Sequence, residues 1–209
     1  MDAVTRIRAA RWADKDHVAA LIADALHPSP LAKWLIPDAG PRRQILTDVL
    51  GIWIEHAMFY GDIHLTDDAA ATVGFHRYRS IPPPANYQMR LADGAGAHTD
   101  RFDILDRLLA KARPTEPHYE LAFLAVRPSN TGAGYGTAML AHHRSRLDHV
   151  GLPSWTSTTS AIGLYSRHGY TARPPIVLPG GPTLHPMRRN SESAGERLPV
   201  ITARESRLA

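Results

Sequence analysis

Apolar positions along the chain change period several times, and each change predicts an element. Residues 4–9 alternate as a strand does, and Asp14 precedes Val18, Leu21, Ile22 and Leu26 at helical spacing, so Asp14 reads as the cap of a first helix. His27-Pro28-Ser29-Pro30 ends it. The run 31–38 is too apolar for a free loop, and a second helix follows from about Pro41 with Ile45, Val49, Ile52, Trp53 and His56 on one side. These two helices and their connection are expected to form a lid. Strands over 62–66 and 70–77 flank Asp67-Asp68, a hairpin signal. From Pro82 to Thr99 no period survives, which predicts an exposed loop able to border a binding site. Asp100 then caps a helix to about Ala112, with Phe102, Leu105, Leu108 and Leu109 inward.

Tyr119 to Val126 is an apolar run suited to a buried strand, stopped by Pro128 and Asn130. A helix is expected from near Gly136 to about His149, with Met139, Leu140 and Leu147 in the core. A strand at 154–158, a short helix from Ser160 to His168 ending at Gly169, and strands at 170–178 and 183–189 complete the order. Beyond Asn190 the chain is rich in Ser, Glu, Arg and Pro, so 1–189 reads as one domain and 190–209 as a mobile tail.

At 209 residues the chain can bury a full core. Its start, MDAVTRIRAARWADKD, is charged, and no run approaches the roughly 18 apolar residues of a membrane span. Neither a span nor a secretory signal is expected, and the cytoplasm is the default location. The absence of cysteine excludes thiolate nucleophiles, disulfides and Cys-based zinc sites. Among the 12 histidines, the neighbours His142 and His143 diverge on a helix and no His-Glu-x-x-His occurs, so no metal is expected. The net charge of +4 comes from dispersed arginines, which argues against a nucleic-acid face and is compatible with an anionic cofactor.

The candidate chemistry concentrates between strand and helix, where Gly132, Gly134 and Gly136 alternate. Glycines there let main-chain N–H groups turn toward an anion, and a helix start points its positive dipole end at the same place. A phosphate-bearing ligand is expected, with a mere tight turn as the plain alternative. A nucleoside-triphosphate loop needs Lys and Ser/Thr after the last glycine and finds Thr137-Ala138. The dinucleotide pattern fails too, because its third glycine falls one position early, at Gly136.

What survives, Val126-x-Pro128 followed by Gly132-x-Gly134-x-Gly136 and a helix, resembles the acetyl-CoA loop of the GNAT superfamily of N-acyltransferases. The element order over residues 4–189 is similar to that of the superfamily. From Arg113 to Arg189 the chain resembles puromycin N-acetyltransferase-like small-molecule acetyltransferases. The shared motifs are Arg113-Pro114-x-Glu116-Pro117, Gly151-Leu152-Pro153, Leu164-Tyr165-x-Arg167-x-Gly169-Tyr170 and the stretch from Pro179 to Met187. The resemblance implies an α/β (α+β) GNAT fold. Its sheet would be mixed, mostly antiparallel, of about seven strands, splayed between the fourth and fifth, with helices on both faces.

The resemblance further implies that pantetheine bonds main-chain groups of Leu124, Ala125 and Val126, the N–H near Val126 polarising the acetyl carbonyl. Thr131, Gly132, Ala133, Gly134, Tyr135, Gly136 and Thr137 would hold the pyrophosphate. The superfamily usually carries Gln or Arg at the position of Thr131 and a basic residue at that of Ala133, so here main-chain amides would act alone. Glu120 falls where histone-type members carry their glutamate base, with Glu116 as a weaker alternative, and Tyr165 occupies the superfamily's general-acid position. The plain readings are a solvated strand-edge glutamate and a core tyrosine. The implied activity is acetyl transfer from acetyl-CoA to a primary amine of a small molecule, directly in a ternary complex and without a metal. The alternative is a non-catalytic acyl-CoA-binding module with a degenerate pyrophosphate loop. Trp34, Trp53, Tyr87 and Met89 would shape an acceptor pocket or pack the core. The acceptor's identity stays open, as does the choice between monomer and homodimer.

Overall fold

The computed structural model describes residues 6–66 and 69–191. Its frame is an 8-stranded sheet in the order β1-β2-β3-β4-β5-β8-β6, with β7 on β8. The strands are β1 (Ile7–Ala9), β2 (Gly61–Thr66), β3 (Ala70–His76), β4 (Tyr119–Val126), β5 (Ser154–Thr158), β6 (Thr171–Ala172), β7 (Ile176–Val177) and β8 (Thr183–Arg189). All pairs are antiparallel except β4 with β5. That parallel pair joins only at Tyr119 with Ser154 and Glu120 with Trp155, although β4 runs on to Val126 and β5 to Thr158. The sheet therefore forks after Glu120. This is the mixed, splayed α/β architecture that the resemblance implies.

Helices α1 (Lys15–Leu26), α2 (Pro30–Leu35), α3 (Ala39–Tyr60), α4 (Tyr87–Ala95), α5 (Thr99–Ala112), α6 (Tyr135–Val150) and α7 (Ile162–Arg167) surround the sheet. One core packs Val18, Ile22, Leu46 and Ile54 of α1 and α3 on Leu65 and Phe75 of the sheet. A second gathers Leu121 of β4, Leu140 of α6, Tyr165 of α7, Tyr170 and Met187. Between β3 and β4 the register shifts: Gly74 faces Leu121 but Val73 faces Phe123, so Ala122 is an extra residue that re-aims the strand. Before the bulge, Leu121 belongs to the second core; after it, Phe123 packs on the first.

Four expectations are corrected. Asp14 precedes α1, but a short 3-10 turn, Trp12–Asp14, draws its carboxylate back to Arg8 and the Arg11 amide, leaving the helix without a side-chain cap. The expected lid is part of the main core, since Ala32 and Ile36 are 0% exposed. Ser29 starts α2 there by accepting the Ala32 N–H. The expected loop 82–99 contains α4, whose Leu91 and Ala95 are buried one turn apart while Gly94 lets its backbone close on Asp48 of α3. The strand expected at 170–178 breaks into β6 and β7 at Pro174-Pro175, which have no N–H for the ladder, hence one strand more than expected. The hairpin between β2 and β3 forms, its turn residues Asp67 and Asp68 lying outside the described residues. The expected tail lies outside them too, from residue 192 on.

Candidate active site

The fork collects the groups the sequence singled out. Glu120 is the last residue of β4 that pairs with β5. Tyr119 and Leu121 lie on the α6 side, Tyr119 against His143 and Leu121 against Leu140, so by strand alternation Glu120 faces the other way, with its partner Phe75. Tyr165 is on the α6 side, 5% exposed, edge-on to Tyr170 at 5.4 Å and hydrogen-bonded to Thr156, the first β5 residue beyond the pairing. Glu120 and Tyr165 are thus on opposite faces of the sheet but at the same point, where the strands part.

Glu120 does not stand in water. Arg77 donates from Nε to Oε2 at 2.6 Å, and Arg113 from Nη2 to Oε1 at 3.1 Å; the glutamate side chain is 15% exposed. Burial works against its ionisation, yet Arg113 and Arg77 outweigh it and hold the carboxyl below its ordinary value. With both oxygens engaged, Glu120 has little affinity for a proton. This sets aside the plain reading of Glu120 as a strand-edge glutamate in water. Glu116, the weaker alternative, is exposed and paired with Arg188.

Tyr165 departs from its ordinary value in the other direction: burial pushes its phenol to about 12, partly offset by the bond to Thr156. His118 is 3% exposed beside the arginine pair. Its Nδ1 lies 2.8 Å from the Glu116 carbonyl and so carries the proton, leaving Nε2 as a buried acceptor with no partner among the described residues. Burial, against the pull of the Glu116 carbonyl and Glu120, keeps the imidazole neutral. Arg77, Arg113, His118 and Thr156 were not foreseen. Arg113 stands in a quoted motif, but nothing in one sequence says that a helix end and a strand end will meet on Glu120.

The cofactor side fits its expected occupant. From Leu121 to Val126, including Leu124, Ala125 and Val126, the β4 edge toward β5 has no strand partner, which leaves main-chain groups for an extended ligand. Gly132 and Gly134 have φ of +84° and +86°, and a Cβ at either would meet nothing within 4 Å, so the turn is open to solvent. The first bond inside α6 runs from Ala138 N–H to Gly134 O, leaving the amides of Tyr135, Gly136 and Thr137 at a free helix start. Two expected donors are lost. Thr131 N–H goes to Pro128 O at 3.3 Å, closing the 3-10 turn Pro128–Asn130, and Ala133 N–H goes to Asn130 O at 3.2 Å across Gly132.

On the Glu120 face, α4 and α5 border a cavity of about 560 Å³ lined by Tyr87, Gln88, Asp103 and Asp106 among others. Tyr87 donates to Asp106, whose carboxyl is pushed by burial to about 6. Trp53 packs against Tyr87 and Phe75, Trp34 donates to Pro179 O, and Met89 is exposed. His142 and His143 part as expected, toward His64 and Ser154. Among the described residues no group of three His, Cys, Asp or Glu could hold a metal, and no helix is long and apolar enough to cross a membrane.

Residues 29–170 match the model of the acetyltransferase (GNAT) family. Among solved structures, the fold is similar to that of the histone acetyltransferase HPA2 and related acetyltransferase from Corynebacterium glutamicum, with TM-score 0.65, 20% identity and coverage of 88% of this chain and 96% of that one. It is also similar to arylalkylamine N-acetyltransferase 2 from Aedes aegypti (TM-score 0.61, 13% identity, 88% and 98% covered) and to an N-acetyltransferase from Staphylococcus aureus (0.58, 15%, 88% and 99%). At these identities the solved structures speak to the fold alone.

Proposed function

The chain belongs to the GNAT acetyltransferase family, and from that premise we propose that it transfers an acetyl group from acetyl-CoA to the primary amine of a small molecule, directly, at the fork between β4 and β5. The observation that carries this is a β4 edge left open from the fork at Glu120 down to Val126, where the free start of α6 begins, with Tyr165 on one face of the fork and Glu120 on the other. A cofactor entering along the α6 side and an amine entering from the Glu120 side would meet in the opening. The main-chain N–H near Val126 would polarise the acetyl carbonyl.

Magnitudes decide what Glu120 does. Removing the proton of an alkylammonium with pKa roughly 10 costs about 4 kcal/mol at pH 7. Handing it to a carboxyl that Arg113 and Arg77 hold below its ordinary value would be steeper still. The proton therefore leaves to water, and Glu120 accepts a hydrogen bond from the entering amine or its water without becoming the proton's resting place. Tyr165 donates to the sulfur as it becomes a thiolate.

Calorimetry with acetyl-CoA, ATP and NAD, run beside a thiol-release assay over a panel of amines that includes puromycin, tests this. Acetyl-CoA is expected to bind far more tightly than the nucleotides and to release thiol with at least one amine. Equal binding of all three would end the proposal. Tight binding without release would favour the second reading, a non-catalytic acyl-CoA module, for which the absence of a basic side chain at Thr131 and Ala133 speaks.

A further inference from the structure

The sheet fork holds more positive charge than it neutralises. Arg77 and Arg113 both sit on the single carboxylate of Glu120, their side chains 16% and 27% exposed. Withdrawing a guanidinium from water without a counter-charge is costly, and here two half-buried ones share one carboxylate. Of the other carboxylates nearby, Asp106 accepts from Tyr87 and feels Arg113 only through space, without a hydrogen bond to it, and Glu116 pairs with Arg188. Asp103 and Asp106 line a cavity whose walls include neither arginine.

Two unfilled hydrogen-bonding positions accompany that surplus. Arg113 Nε is buried with no acceptor, and His118 Nε2 is buried with no donor. Each guanidinium also spends one N–H on Glu120 out of the five it carries. What is missing is a planar anion that accepts from guanidinium N–H groups, together with a donor for an imidazole lone pair. A solvent-exposed ion pair would show neither vacancy.

We infer that the acceptor amine carries a carboxylate, seated on Arg113 and Arg77 beside Glu120, with its amine end toward His118 Nε2 and the fork. The acceptor class is then amino-acid-like: an amine and a carboxylate on one small molecule. This rests on the acetyl-transfer function proposed above. A carboxylate matches the planar donor fork of a guanidinium. Arylalkylamines and polyamines, which bring only positive charge, meet the like charge of the arginine pair.

The test is calorimetry of this protein with N-acetyl amino acids, the products of such a reaction, each against its own carboxamide. The carboxylate form is expected to bind at least tenfold more tightly, and Arg113→Met and Arg77→Met to erase that preference. Glu120→Gln removes the competing carboxylate while keeping the side chain's shape, and should hold or widen it. Equal affinity of acid and amide, failure of both to bind, or loss of the preference in Glu120→Gln overturns the inference. Thiol release, measured in parallel with amino acids and their decarboxylated amines, separates the two claims. Decarboxylated amines turning over as fast leave the enzyme standing and remove the carboxylate seat. No release with any amine removes the acetyl-transfer function, and the acid–amide comparison still reports on the seat.

Discussion

Replacing Tyr165 by Phe deletes one hydroxyl from the second core and nothing else. In the fold that hydroxyl bonds Thr156, and burial holds its pKa at about 12. A thiol titrates near 8.5, so full proton transfer from phenol to thiolate is uphill by about 3.5 units, or roughly 5 kcal/mol. Tyr165 is then better described as a hydrogen-bond donor to a developing anion than as an acid that parts with its proton. A bond to a charged acceptor contributes about 1.5–3 kcal/mol, which predicts that kcat in Tyr165→Phe falls by roughly 10- to 150-fold. Binding of acetyl-CoA should hardly change, because the bond forms only as the sulfur gains charge. Losing the bond to Thr156 costs about 1 kcal/mol of stability. The assay is thiol release at saturating amine, with acetyl-CoA titrated for both proteins. A pH series adds a check: with its pKa raised, the phenol stays protonated through pH 10, so the wild-type rate should not decline on the alkaline side before then. A kcat within twofold of wild type, or a decline already at pH 8–9 that Tyr165→Phe abolishes, would refute the donor role as drawn.

Gly74→Ala should damage the sheet, because its Cβ would lie 2.1 Å from the ring of buried Tyr119; a loss of about 3 kcal/mol and a Tm lower by roughly 6–12 °C are expected by thermal unfolding. Gly134→Ala meets no neighbour but forces φ of +86° on an L-residue, at a cost of about 1 kcal/mol. Acetyl-CoA affinity should drop about fivefold as the open turn becomes less populated, and unchanged affinity by calorimetry would show that the turn does not seat the cofactor. Asp106 has its folded pKa raised from 3.8 to about 6, so its contribution to stability is full below pH 4 and is lost as pH rises through 6. Asp106→Asn removes that loss while still accepting from Tyr87: urea unfolding should find the variant more stable by up to ~3 kcal/mol at pH 8 and unchanged at pH 4, and the same effect at both would contradict it. Glu120 has the opposite sign, its stability present above 4.5 and lost as pH falls through its lowered value, so Glu120→Gln should flatten the acid side of the stability curve.

Most of the fold was legible because most elements obey a single local rule. Val18, Leu21 and Ile22 lie inward as their spacing requires, Met139 and Leu140 likewise, and Pro128 and Asn130 follow the end of β4 as expected. Failures came where a distant partner overruled the local pattern. In α4, two residues of low helix preference, Asp93 and Gly94, hide the Tyr87, Leu91, Ala95 stripe; α3 supplies the surface that makes the stripe worth burying, and Arg90 clasps Glu55 across the contact. Asp14 looked like a cap because caps are read three residues at a time, and Arg8, six residues back, was outside that window.

The same logic explains why half of the site could be read and half could not. Holding a cofactor by main-chain amides needs glycines, a strand that loses its neighbour and a helix that begins, and all three leave marks in sequence: the alternating glycines, the run from Tyr119 to Val126, the helical period after it. Recognising an acceptor needs side chains from separate elements, and these leave none. Arg77 follows β3, Arg113 ends α5 and Glu120 lies on β4, each unremarkable alone. Their convergence also gives Glu120 two guanidinium partners that its place in the sequence does not announce. Chemistry common to a family can thus be carried by backbone and copied with little regard to side chains, while the choice of acceptor rests on contacts that only the folded chain makes.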